Sequence, residues 1–178
     1  MNGTALIIMA KKPIVGSTKT RLCPPLEPAE AALVYEALLL DTIQLCAGIE
    51  GIHLAVAVTP PDAVGYFEKN TPSGTVLLPV DCPDIGHCLQ QVIGQLLEDG
   101  FDKAIALNSD GPSLPAAYIY QAVEYLDFHD VVLGPGEDGG YYLIGLKRLY
   151  KDLFQGIDWS TPQVLSQTVS KIETLGLN

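Results

Sequence analysis

At 178 residues, with 48% hydrophobic and 17% charged residues, the chain has the size of one domain and enough apolar content for a core, which excludes a disordered chain. A net charge of −11 argues against nucleic acid or an anionic membrane as a partner, because both are negative. The first apolar run, Ala5 to Ala10, is far short of the roughly 18 residues a spanning helix needs, and lysines follow it rather than precede it, so no anchor or signal peptide is expected.

In chain order, short β-rich runs alternate with longer helical patterns, the signature of an α/β fold with a mainly parallel sheet. Thr4 to Met9 reads as a strand, and Lys11 to Pro25 as a loop containing Gly and Pro. Pro28 suits a helical first turn, and Ala29 to Cys46 follows as a helix with a broad face expected to be buried that includes Leu33, Tyr35, Leu39 and Ile43. Next come a strand at His53 to Val58, a short helix at Asp62 to Lys69, a strand at Thr75 to Leu78 and a helix at Gly86 to Leu97. A strand at Lys103 to Leu107 stops at polar residues, and a helix spans Ala116 to Leu126. Strands at Val131 to Leu133 and Tyr141 to Leu146 and a helix at Gln163 to Thr174 complete the pattern. With no repeat or linker in view, residues 1–178 are expected to form a single domain.

Three segments carry chemistry. The first holds Lys11, Lys12, Lys19 and Arg21, four of the ten basic residues, before any acid appears at Glu27. A basic island on an acidic chain, with Gly16 allowing a tight path, suits phosphate held by backbone N–H groups and cations; a solvated loop is the plain alternative. The spacing is not that of a P-loop, because Thr18 stands before Lys19 where a second glycine is required. The second segment, Asn108 to Pro115, ends a hydrophobic strand, where Asp110 is placed either to hold a cation or to cap the following helix or tighten a turn. The third, Gly134 to Tyr142, sets Glu137 and Asp138 among four glycines. It reads as a hairpin, and it gains a functional reading if it reaches Asp110.

Cys23, Cys46, Cys82 and Cys88 are scattered and follow no secretory signal, so they are expected as reduced thiols in a cytoplasmic protein. Cys82, Asp84, His87 and Cys88 lack the spacing of a structural zinc site and are expected as a loop and helix start.

Together, the segment from Met9 to Leu22, the Asp41-Thr42 pair, Ser109 to Leu114, Glu137 to Tyr142 and Trp159 to Pro162 resemble a family of small bacterial glycosyltransferase-A-like proteins. The similarity spans nearly the whole chain and extends in fold to the molybdenum-cofactor and 2-phospholactate guanylyltransferases. It implies a three-layer α/β/α nucleotide-diphospho-sugar transferase fold with a nucleotide over the first strand and Lys12, Gly16, Lys19 and Arg21 near its phosphates. It further implies Asp110 and Asp138 as catalytic, metal-holding carboxylates for Mg²⁺ or Mn²⁺, with an acceptor side formed by Gly139, Gly140, Tyr141 and Trp159. The expected partners are a nucleotide-sugar, or alternatively a nucleoside triphosphate, and a small-molecule acceptor. A non-catalytic nucleotide-binding module is a third reading. The sequence departs from the family's Asp-Leu-Gly-x-Arg type segment at His87 and Cys88, and from Asp-x-Asp metal motifs at Asn108. The acidic Asp-x-Asp-Thr segment that often closes such domains has no counterpart.

Overall fold

A computed structural model describes residues 3–178. Six strands form one sheet in the order β3-β2-β1-β4-β6-β5. They are β1 Thr4–Lys11, β2 Ile52–Thr59, β3 Val76–Pro79, β4 Lys103–Asn108, β5 Val131–Pro135 and β6 Tyr141–Leu146. The helices are α1 Pro28–Ala47, α2 Val64–Asn70, α3 Ile85–Glu98, α4 Ala116–Phe128 and α5 Val164–Thr174. The first four strands are mutually parallel, and β6 alone runs against its neighbours. The sheet is therefore mainly parallel, as its unbroken apolar strands imply. Among the described residues, no helix is long and apolar enough to cross a membrane.

The alternation of side chains along β1 builds both halves of the core. Leu6, Ile8 and Ala10 pack with Tyr35, Leu39 and Ile43 of α1, Phe67 of α2 and Ile119, Ala122 and Leu126 of α4. Ala5 and Ile7 face the other way, onto Leu89, Val92, Ile93 and Leu96 of α3. This is the expected three-layer α/β/α arrangement. From β1 the chain winds outward through β2 to β3 and then returns across the sheet to place β4 on the opposite side of β1. That reversal leaves a crevice at the carboxyl ends of β1 and β4, where Met9 lies beside Asn108. A short 3-10 turn at Lys151–Phe154, absent from the sequence reading, buries Leu153 and Phe154 in the layer of α3.

One expectation is overturned here. Cys82 and Cys88 are joined in a disulfide, while Cys23 and Cys46 remain free. The expected loop and helix start is present, with Asp84 as the N-cap of α3; the pairing of the two cysteines is what spacing alone did not reveal.

Candidate functional site

Tyr35 fixes the floor of the crevice from α1. Its hydroxyl accepts the Lys11 N–H at 3.1 Å and lies 2.8 Å from Ser109 Oγ, so one buried ring joins the ends of β1 and β4. Burial pushes the Tyr35 hydroxyl pKa up, which keeps it neutral. The sequence marked Tyr35 only as part of an apolar face; its hydroxyl was the missed signal.

Beyond β1 the basic loop turns on its own backbone: the Ser17 and Thr18 N–H groups both donate to the Ile14 carbonyl at 3.1 Å, and the Leu22 N–H donates to the Lys19 carbonyl at 2.9 Å. Thr18 is buried and its Oγ1 accepts the Ile14 N–H at 2.9 Å. Lys11 Nζ donates to the Ser17 carbonyl at 3.1 Å. Positive φ angles at Gly16 (79°) and Lys19 (50°) turn the chain so that Lys19 reaches the sheet. There its ammonium pairs with Asp110 Oδ2, and it lies 5.9 Å from the centre of the Tyr35 ring. The pair is about one-third exposed on both sides. Asp110 does not cap α4, since Pro115 occupies that position.

The β5–β6 connection is a hairpin that also reaches the crevice. Gly136 N–H donates to the Gly140 carbonyl at 2.9 Å, and Gly140 N–H donates to Asp138 Oδ1 at 3.1 Å. Gly139 adopts φ 84°, and a Cβ there would stand 2.1 Å from the Pro162 carbonyl oxygen. Its own carbonyl accepts the Leu165 N–H at 2.9 Å, which seats the loop on the start of α5.

These loops enclose a cavity of about 540 Å³. Arg21, Asp110 and Asp138 give it charge, while Tyr141 and Trp159 supply aromatic wall and Gly140 leaves an open backbone. Ile85 and Leu89 of α3 add an apolar side that the sequence reading did not assign to the site. Trp159 packs edge-to-face on Tyr141, with centroids 6.5 Å apart, and rests on Gly86, where a Cβ would come within 2.2 Å of the indole. Trp159 therefore serves both core and cavity. The Tyr141 hydroxyl is buried beside Thr168 without a hydrogen-bond partner of normal geometry, and burial pushes its pKa up to about 12. The Thr168 hydroxyl is directed instead to the Val164 carbonyl at 2.8 Å.

Other nominated residues fall outside this lining. Lys12 continues the ladder, donating its N–H to the Thr59 carbonyl at 2.7 Å, and Gly16 lies on the exposed basic loop. Gly139 shapes the hairpin from behind. His87 points away from the main cavity, with Nδ1 2.8 Å from Asp84 Oδ2, so it does not stand in the cavity wall as a replacement cation. Among the described residues, no cluster of three His, Cys, Asp or Glu side chains is poised around a metal. The available donor set is the Asp110 carboxylate at a strand end, with Asp138 on the same cavity. One or two carboxylates fit Mg²⁺ or Mn²⁺ when substrate phosphate completes the shell.

Residues 42–161 match the model of a family described as uncharacterized protein conserved in bacteria, DUF2064. Among curated proteins, none matches this chain. The chain superposes over its whole length on a candidate nucleotide-diphospho-sugar transferase from Desulfovibrio desulfuricans, with 27% identity, a TM-score of 0.92 and 78% of that protein covered. A 4-diphosphocytidyl-2C-methyl-D-erythritol synthase from Anaerococcus prevotii is similar at TM-score 0.60 and 8% identity, over 98% of this chain and 83% of that one. A CMP:2-keto-3-deoxy-manno-octonic acid synthetase complexed with CTP is similar at TM-score 0.56 and 14% identity, over 99% of this chain and 87% of that one. The last two likenesses concern the fold.

Proposed function

The chain belongs to the DUF2064 family, and from that premise we propose that it is an enzyme, a metal-dependent transferase that takes a sugar from a nucleotide-diphosphate donor. The observation carrying this reading is the convergence of Asp110, Asp138 and Arg21 on one cavity at the β1/β4 crevice, with Lys19 bonded to Asp110 at its edge. The likeness to a candidate nucleotide-diphospho-sugar transferase over the whole chain supports it.

Arg21 and Lys19 bind the donor's phosphates through charge-assisted hydrogen bonds, and Lys19 exchanges its carboxylate partner for phosphate oxygen. That exchange exposes Asp110, which would hold Mg²⁺ or Mn²⁺ together with the phosphates; the cation supplies charge stabilisation for the diphosphate leaving group. Asp138 has one oxygen occupied by the Gly140 N–H, and its other oxygen accepts the proton of an acceptor hydroxyl. The acceptor oxygen bonds to the sugar's anomeric carbon, the sugar–phosphate bond breaks, and its electron pair leaves with the nucleoside diphosphate. Trp159 and Tyr141 line the acceptor side, where an aromatic face suits a sugar ring.

Asn108 favours a second reading. With an amide where an Asp-x-Asp motif has its first acid, Asp110 is the sole carboxylate of its turn, an arrangement that also suits nucleotidyl transfer. There an acceptor phosphate oxygen attacks the α-phosphorus of a nucleoside triphosphate, and pyrophosphate leaves. Incubation with Mg²⁺ or Mn²⁺, a small-metabolite extract and either nucleotide-sugars or nucleoside triphosphates separates the two. Acceptor-dependent release of nucleoside diphosphate from a sugar donor is expected. Pyrophosphate from a triphosphate, with no diphosphate from any sugar donor, selects nucleotidyl transfer. Nucleotide binding with neither product returns the chain to a binding module.

A further inference from the structure

The turn entering α3 carries chemistry that the transferase reading leaves unused. From β3 the chain passes through Cys82, turns at Pro83 and enters α3 beneath Asp84, whose Oδ1 accepts the His87 N–H at 2.9 Å. The Cys82–Cys88 disulfide closes this turn, with its Cα atoms 5.5 Å apart. Cys82 is partly open to solvent, whereas Cys88 is buried in the first turn of the helix. The same turn forms a wall of the cavity through Ile85 and Leu89, and Gly86 seats Trp159.

We propose that Cys82–Cys88 is a thiol–disulfide exchange site with a dithiol as co-reactant, and that its reduction loosens the Gly86–Trp159 contact and weakens nucleotide binding. The last step rests on the functional reading above. Two apolar clusters, one on each face of the sheet, already hold the fold together, and a cross-link between cysteines six apart in sequence constrains little of the unfolded chain. Its consequence is therefore local. The exposed sulfur is the entry point: a dithiol thiolate attacks Cys82 Sγ, the S–S bond breaks, and the electron pair leaves on Cys88. The second dithiol sulfur then attacks the dithiol-derived sulfur of the mixed disulfide and releases Cys82. Two electrons and two protons pass to the protein, and the dithiol leaves as its own disulfide.

Trp159 is the chain's only tryptophan, so its emission reads the contact without any ligand. The folded full-length protein is treated with dithiothreitol or left oxidised, then alkylated, and titrated with UDP, GDP, CDP and ADP in Mg²⁺. Dithiothreitol is expected to make Cys82 and Cys88 available for alkylation, move Trp159 emission to longer wavelength and weaken the best-bound nucleotide about threefold to tenfold, the effect of a loosened wall. Cys82→Ser is expected to show the reduced emission and affinity with or without dithiothreitol. Unchanged alkylation and emission would overturn the exchange site, and equal affinity in the two states would overturn its coupling to binding. Absence of nucleotide binding in both states would instead sink the transferase reading, while alkylation and emission would still decide the exchange chemistry.

Discussion

The basic loop after β1 and the β5–β6 hairpin loop approach the same cavity, but they are built in opposite ways. The hairpin is fixed by its own backbone and by α5: Gly139 fits against Pro162 only because it lacks a Cβ, and Leu165 holds its carbonyl. The basic loop exposes Ile14 and Val15; it is turned by its own backbone bonds and by Lys11 Nζ on the Ser17 carbonyl, and its reach across to the end of β4 is the part-exposed Lys19–Asp110 pair. The hairpin loop is braced by a neighbouring element, whereas the basic loop's reach across the crevice rests on a charge that a phosphate can replace. Damage to the hairpin should therefore appear in stability, and damage to the basic loop in binding.

The sharpest way to break this contrast is Gly139→Ala. A Cβ forced against a backbone carbonyl, at a φ that L-residues avoid, should cost about 3 kcal/mol and lower the melting temperature by many degrees. A melting temperature equal to wild type would show that the hairpin yields as readily as the basic loop. A smaller effect is expected from Lys19→Ala and Arg21→Ala. Each should weaken a nucleoside diphosphate by about tenfold, leave the bare nucleoside nearly unaffected and lose much of that difference in high salt. Equal losses for both ligands in a titration would remove these cations from the phosphate site.

Asp84 offers a third and smaller contrast, between a local cap and the long-range contacts of the site. The His87 backbone N–H, followed by its side chain, holds the Asp84 carboxyl below its ordinary pKa. A depressed carboxyl pKa adds stability above its unfolded value, and that stability is lost as pH falls through the folded value. Asp84→Ala should cost about 1 kcal/mol near neutrality in denaturant unfolding, with the deficit shrinking in acid. A deficit independent of pH would assign it to packing instead. At the bottom of the scale, Val15→Ser at an exposed tip should change stability by less than about 0.5 kcal/mol. A larger loss would mean the basic loop is anchored more firmly than its bonds indicate.

The sequence spoke most clearly where periodicity is local. The apolar run of β1 foretold that strand to within two residues, because burial on two faces leaves an unbroken hydrophobic pattern; α1 was foretold in extent, but Leu33 of its expected buried face is 64% exposed. It was silent where contact depends on the return of the chain. Lys19 and Asp110 are 91 residues apart, and nothing in either segment announces their pairing. Asp-Gly correctly signalled a hairpin at residues 138 and 139, yet only the three-dimensional path reveals that its loop rests on Pro162. The disulfide escaped for the same reason: composition suggested reduced cysteines, and the turn capped by Asp84 brings two of them together.

The central claim, that Asp110 is the cation-holding carboxylate of a nucleotide site, is tested most directly by calorimetric titration of wild type and Asp110→Asn with UDP, GDP, CDP and ADP, each with and without Mg²⁺. For at least one nucleotide, wild type should bind about tenfold or more tightly with Mg²⁺. Asp110→Asn should lose that dependence while melting within a few degrees of wild type, since a part-exposed ion pair contributes only about 0–1 kcal/mol. The same Mg²⁺-dependent affinity in Asp110→Asn as in wild type would contradict the account.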